Sequence, residues 1–146
     1  MKRVELKVLA PPPALVPCTA CGQCCTYVGI GINAPTTPRF ATDILWYLYH
    51  ERLYVYRDGD REWSVHFETR CKNLADDLRC RIYEDRPHIC RAFDNTVCEV
   101  NAPDEGTLTF RAPEEFLDWL RANKPRVYRS VAKKYVPAAF KEGSTR

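Results

Sequence analysis

The sequence predicts an α+β fold, one small domain built from a β-hairpin, about three helices and irregular cysteine-bearing loops. Three observations predict it. Asp58, Gly59 and Asp60 separate two short apolar-periodic runs, several segments carry apolar residues at helical spacing, and eight cysteines cluster where no apolar period exists. At 146 residues the chain suits a single domain, 1–146, because domains run roughly 100 to 200 residues and a split would leave cores too small to stand alone. A 45% hydrophobic and 28% charged composition lies near the globular average, so the chain is expected to fold.

Taken in order, Val4, Leu6 and Val8 alternate with Glu5 and Lys7, which reads as a short half-buried strand ended by Pro11, Pro12 and Pro13. Tyr27 to Ile32 is apolar with Gly29 and Gly31 inserted, which suits a short buried strand or a backbone brought close to a metal site. Thr36 and Thr37 precede Pro38, a favoured first helical residue, and Phe40, Ile44, Leu45 and Leu48 predict a helix over 38–50. Leu53 to Arg57 and Glu62 to Thr69 flank the Asp58-Gly59-Asp60 turn, where glycine supplies the positive backbone angle of a tight hairpin. Trp63, Val65 and Phe67 share one face of the second strand and read as core. A turn at Pro103 to Gly106 leads to an extended piece at Thr107 to Arg111. Pro113 then opens a helix carrying Phe116, Leu117 and Leu120. A further helix after Pro125 places Val127, Tyr128, Val131 and Tyr135 on its apolar side, so that 112–136 form a C-terminal helical extension.

No secretory signal is visible, and no apolar run approaches the roughly 18 to 20 residues of a membrane-spanning helix. The reading is a cytoplasmic protein without a membrane partner. The net charge of +3 does not by itself argue for nucleic acid. Its distribution is uneven: Arg121, Lys124, Arg126, Arg129, Lys133, Lys134, Lys141 and Arg146 face only Glu142. A solvated helix face explains such a run, and an acidic protein or nucleic-acid partner is the alternative.

The cysteines carry the chemistry. Cys18, Cys21, Cys24 and Cys25 form a C-x2-C-x2-C-C group, and two intervening residues let neighbouring thiolates converge on one centre. Gly22 fits the sharp bend of such a knuckle. Cys71, Cys80, Cys90 and Cys98 complete eight, the number that two four-thiolate sites need. Adjacent side chains in extended backbone point opposite ways, so Cys24 and Cys25 are expected to serve different centres. The simplest arrangement gives Cys18, Cys21, Cys24 and one remote cysteine to the first, with Cys25 helping to build the second. A reducing cytosol disfavours the competing disulfide framework, and a catalytic dithiol at Cys21 and Cys24 leaves six cysteines unexplained. C-x2-C-x2-C resembles the run that wraps a cubane in bacterial ferredoxins, whereas zinc ribbons present two C-x2-C knuckles. An iron–sulfur cluster, four-iron favoured, is therefore read ahead of zinc, with both open.

Cys18-Thr19-Ala20-Cys21-Gly22-Gln23-Cys24-Cys25, then Cys71 and Leu74, then Cys80-Arg81-Ile82-Tyr83-Glu84-Asp85-Arg86-Pro87-His88-Ile89-Cys90-Arg91-Ala92-Phe93 and finally Cys98, resembles the YkgJ-type cysteine-cluster proteins, the zinc- or iron-chelating CxxCxxCC domains. The resemblance covers about 18–98 and implies a metal or iron–sulfur centre on all eight cysteines. Flagellin lysine methylases carry a similar cluster, but this chain has no glycine-rich cofactor loop, and that activity is not carried over.

Around the cluster, Arg86 and Arg91 are placed to offset thiolate charge near Cys90, and Tyr83 and Phe93 read as packing residues. His88 is a lesser candidate ligand, while His50 and His66 read as ordinary surface or partly buried histidines. No hydrolytic triad or phosphate loop stands out. The leading function is metal binding with a redox or cluster-dependent role, no catalytic residue being identified. The alternative is a zinc-stabilised interaction module whose basic C-terminal helix meets an acidic protein or nucleic acid.

Overall fold

The computed structural model describes residues 14–102 and 106–135, and over them the chain is α+β. The strand expected around Val4, Leu6 and Val8 lies outside the described residues, as do most of the turn that starts at Pro103 and the last basic residues, Lys141 and Arg146. Four strands, β1 (Tyr27–Ile32), β2 (Leu53–Arg57), β3 (Trp63–Glu68) and β4 (Leu108–Phe110), form an antiparallel sheet in the order β1-β3-β2-β4.

The hairpin is where the sequence puts it, with one correction. Its turn is closed by Asp58, which accepts from Arg61 N–H at 3.1 Å through its carbonyl and from Glu62 N–H at 2.8 Å through its carboxylate. The positive backbone angle falls on Arg61 (φ 68°), not on Gly59. The longer loop moves the left-handed residue to Arg61, two positions before the returning strand starts.

Register sorts the side chains onto two faces. Val55 lies opposite Val65 and Phe110, and Trp63 shares their side, so this face is apolar. It is covered by α2 (Pro38–Leu48), α4 (Pro113–Asn123) and α5 (Pro125–Lys134). Each helix starts at a proline whose missing N–H costs nothing there. Thr37 caps α2 by accepting Phe40 N–H at 3.3 Å, and Glu115 accepts the N–H groups of Arg111 and Ala112 ahead of α4. Ala41, Ile44, Leu45 and Leu48 from α2, Phe116, Leu117 and Leu120 from α4, and Val131 from α5 are buried against Trp63 and Phe110. Burial of each large side chain contributes about 1.5–3 kcal/mol. Tyr135, expected on the apolar side of the last helix, is instead 58% exposed because it follows the helix end.

The second correction concerns β1. The strand forms, but at the sheet edge: Val28 and Ile30 stand about half exposed, and Ile32 at its end packs against the core. Of its two glycines, Gly29 makes room for a side chain and Gly31 faces open space. Gly29 lies opposite His66, and a Cβ there would come within 3.1 Å of the imidazole Nε2.

On the face away from the helices, Tyr27, Tyr54, Tyr56 and His66 gather. His66 is only 8% exposed, which overturns its reading as an ordinary surface or partly buried residue. Tyr27 stacks on its ring at 4.6 Å, and its nitrogens pair with Ser64 Oγ at 2.8 Å and Tyr54 Oη at 2.9 Å. Every polar atom of the ring is satisfied, as burial requires.

Candidate metal centre

The cysteine-bearing segments lie just before β1 and just after β3. Cys18 and Cys21 lie on α1 (Cys18–Cys21), a single turn that stops at Gly22, whose φ of 65° is the left-handed conformation that suits glycine. A Cβ at Gly22 would also meet Leu74 Cδ1 at 3.2 Å, so the bend is pressed against the loop that follows Cys71. A 3₁₀ turn over Gln23–Cys25 then carries Cys24 and Cys25 into β1. Cys25 C=O accepts Cys71 N–H at 2.7 Å, which extends the β1–β3 pairing and puts Cys71 beside Cys25.

From Cys71 the chain doubles back. Leu74 bridges Cys80, Asn73 C=O accepts Arg81 N–H at 2.9 Å, and Arg70 reaches the carbonyls of Leu74 and Ala75. Leu74, 4% exposed, is the apolar anchor of this loop. Cys90 follows on α3 (His88–Arg91), again a single turn. Arg86 lies 3.6 Å over the Tyr83 ring and donates to Tyr83 C=O, while Arg91 donates to the carbonyls of Arg86 and Glu84. The two guanidinium groups thus staple the loop that presents Cys90, and among the described residues neither pairs with a carboxylate. Phe93, expected to pack, is 46% exposed. His88 is exposed.

Cys98 returns to the first group by a separate route. Asn101 accepts Val16 N–H at 2.8 Å and donates to Val16 C=O at 3.0 Å, a two-bond clasp just ahead of Cys18. Cys98 C=O accepts the N–H groups of Asn101 and Ala102. The Tyr27 hydroxyl donates to Glu99 Oε1 at 2.8 Å, tying the same arm to the sheet.

None of the eight cysteines is disulfide-bonded in this structure. They fall into two electrostatic neighbourhoods. Burial pushes the Cys24 thiol pKa up, and Cys18, Cys21 and Cys98 raise it further against the lowering effect of a backbone hydrogen bond. Burial likewise raises Cys25, with Cys71, Cys24, Cys80 and Cys90 adding to it. The adjacent cysteines therefore sit among different partners, three cysteines acting on Cys24 and three others, besides Cys24 itself, on Cys25. Between the groups opens a cleft of about 230 Å³, lined by Cys18, Cys90, Tyr83, Arg86, Arg91 and Phe93. The groups are gathered without being closed: among the described residues, no three cysteine, histidine or carboxylate side chains converge on one ion-sized point.

The donor chemistry fits a thiophilic metal. Four soft sulfurs per group match zinc or an iron–sulfur cluster and suit neither magnesium nor calcium, which take oxygen. Like-charged thiolates crowded in partly desolvated positions are a cost that a bound cation relieves. The residues that sequence reasoning passed over are Tyr27, Glu99 and Asn101, which place the Cys98 arm, and His66, on which Tyr27 rests. Tyr27 and Glu99 do flank cysteines in the chain, but their hydrogen bond spans 72 residues and no local pattern encodes it.

Fold and site together define a cysteine-cluster metal-chelating domain on an α+β scaffold. The chain belongs to the CxxCxxCC family, described as a "putative zinc- or iron-chelating domain", whose model matches residues 17–118. That match takes in every cysteine, the whole sheet and half of α4. No curated relative and no solved structure matches the chain significantly. Among the described residues no helix is long and apolar enough to cross a membrane.

Proposed function

We propose that the chain holds two adjacent metal centres, each on four thiolates: Cys18, Cys21, Cys24 and Cys98 in the first, Cys25, Cys71, Cys80 and Cys90 in the second. The observation that carries this reading is the division of neighbours between Cys24 and Cys25. The backbone contacts support it independently, since Cys71 pairs with Cys25 and the Asn101 clasp brings the Cys98 arm to Cys18. A single peptide bond joins the two centres, so charge on one is felt at the other.

The first set has the C-x2-C-x2-C run plus a remote fourth cysteine, the spacing of cubane-binding ferredoxins, and this favours a four-iron cluster over zinc. Bound there, such a cluster supplies one-electron transfer, whereas zinc supplies a structural cross-link. The protein's part is the same in both cases: it positions the thiols, which give up their protons on binding the metal, and the arginine-stapled loop keeps cationic charge beside them. The role is metal or cluster holding, with electron transfer as the activity that an iron-loaded form makes available.

Elemental analysis of anaerobically purified protein for iron, zinc and acid-labile sulfide, with an absorption spectrum of the same sample, tests the reading. Iron with matching sulfide is the expected result, and zinc without sulfide moves the role to a structural staple. Cys98→Ser and Cys80→Ser are each expected to remove about half of the bound metal, and their combination nearly all of it. Protein that binds none of these metals in substantial amount, or single variants that empty both sets together, would sink the two-centre assignment.

A further inference from the structure

Cys98 is the one member of the first set that comes from far along the chain, separated from Cys24 by the whole hairpin and the second set of cysteines. A remote ligand contributes only if something fixes its approach. The Asn101 clasp fastens the arm to Val16, itself a segment outside regular structure. The Tyr27–Glu99 hydrogen bond joins the arm by a side chain to the sheet. Tyr27 is a rigid support. It begins β1, pairs with Glu68 across the ladder and stacks nearly parallel, at 13°, on the buried His66 ring, which is held by Ser64 and Tyr54. Gly29 leaves the space that the imidazole fills.

We propose that Tyr27 is the positioning residue for the first centre, carrying the placement of the His66 platform through Glu99 to Cys98 so that the fourth thiolate meets Cys18, Cys21 and Cys24. This rests on the two-centre reading but makes a claim of its own: one hydroxyl outside the ligand set controls one centre and leaves the other alone.

The test loads full-length wild type, Tyr27→Phe, Glu99→Ala and Glu99→Gln with zinc alone, challenges them with a chelator, and follows alkylation of each cysteine by peptide mass mapping. Loss of a residue that orients a metal ligand weakens a site by roughly 10- to 100-fold. Tyr27→Phe and Glu99→Ala should therefore expose Cys18, Cys21, Cys24 and Cys98 about tenfold faster, with Cys25, Cys71, Cys80 and Cys90 unchanged. Glu99→Gln keeps an oxygen that accepts the Tyr27 hydroxyl and should restore the wild-type rate. Tyr128→Phe, which removes a tyrosine hydroxyl from α5 on the opposite face of the sheet, should leave all eight rates unchanged. Equal acceleration of both sets, no acceleration, or failure of Glu99→Gln to rescue overturns the proposal. If zinc protects no cysteine even in the wild type, the two-centre reading falls instead, and the arm is then judged on metal-free reduced protein. There a short thiol-to-thiol cross-linker should join Cys98 to the first group less often in Tyr27→Phe, and equal yields would overturn the positioning role.

Discussion

At the scale of single residues, Gly22 and His66 show two ways in which one position constrains the cysteine region. Gly22 stands between Cys21 and Cys24 with φ at 65° and its open side against Leu74 and Leu78. Alanine there meets both the left-handed backbone penalty and a 3.2 Å contact. Gly22→Ala should therefore cost roughly 1–2 kcal/mol and loosen both sets of thiols, since the bend orients Cys24 and Cys25 together; a denaturation midpoint and a metal count on one preparation check this. His66 acts through protonation. Burial holds its pKa below the ordinary 6.5, with Glu99 opposing, whereas the unfolded chain returns it to that value. Between the two values the unfolded state binds more protons, so stability falls as pH drops below about 6.5. Above that pH the imidazole is neutral in both states and adds no slope. Comparing denaturation of wild type and His66→Gln from pH 8 to 5 should show a steeper acid loss in the wild type, and parallel curves would mean that His66 contributes none of it. Gly22 was legible from its place in the cysteine knuckle. His66 was not, because alternation along β3 places it opposite the core without revealing that tyrosines from β1 and β2 enclose it.

At the scale of elements, legibility followed local coding. The helices α2 and α4 were read almost to their boundaries because a proline start, a cap and apolar residues three and four apart all lie within a few turns. The strands of the hairpin were equally plain. What failed was every judgement that depended on neighbours distant in sequence. β1 is apolar in composition yet lies exposed, since only strand order decides that β3 pairs one of its edges and that, among the described residues, no strand pairs the other. The left-handed residue passed from Gly59 to Arg61 because the loop closes on Asp58 through a wider turn than the Asp-Gly pair suggests. In the cysteine region the expectation that Cys24 and Cys25 diverge assumed extended backbone, whereas the two lie on a 3₁₀ turn and differ in the thiols nearest them. The sequence left the remote partners open, and the ties that gather them, the Cys25–Cys71 backbone bond and the Asn101 and Glu99 contacts, are all long-range.

At the scale of the whole molecule, the chain divides into a part that holds itself together and a part that apolar burial does not hold. The main core draws on α2, β2, β3, β4, α4 and α5, from Ala41 to Val131, whereas Leu74 is the one large apolar side chain buried between Cys71 and Cys98. Local turns and arginine-to-carbonyl bonds shape that stretch, but exposed hydrogen bonds of this kind contribute only about 0.5–1.5 kcal/mol each, less than the ordering entropy of a loop this long. Under the proposed two-centre reading, metal ligation makes up the difference. Stripping the metal from reduced protein at neutral pH should therefore abolish amide-exchange protection across 71–98 and around Gly22, while the interiors of α2, β3 and α4 stay protected. Hydrogen exchange with peptide-level resolution, on loaded and chelated samples, measures both regions at once. Retained protection over 71–98 would show that the loops order without metal and would remove the thermodynamic reason for eight thiols in so small a domain. Loss of protection everywhere would carry a different meaning: the sheet would depend on the centres, with the Tyr27 platform coupling them in both directions and folding and metal binding forming one equilibrium.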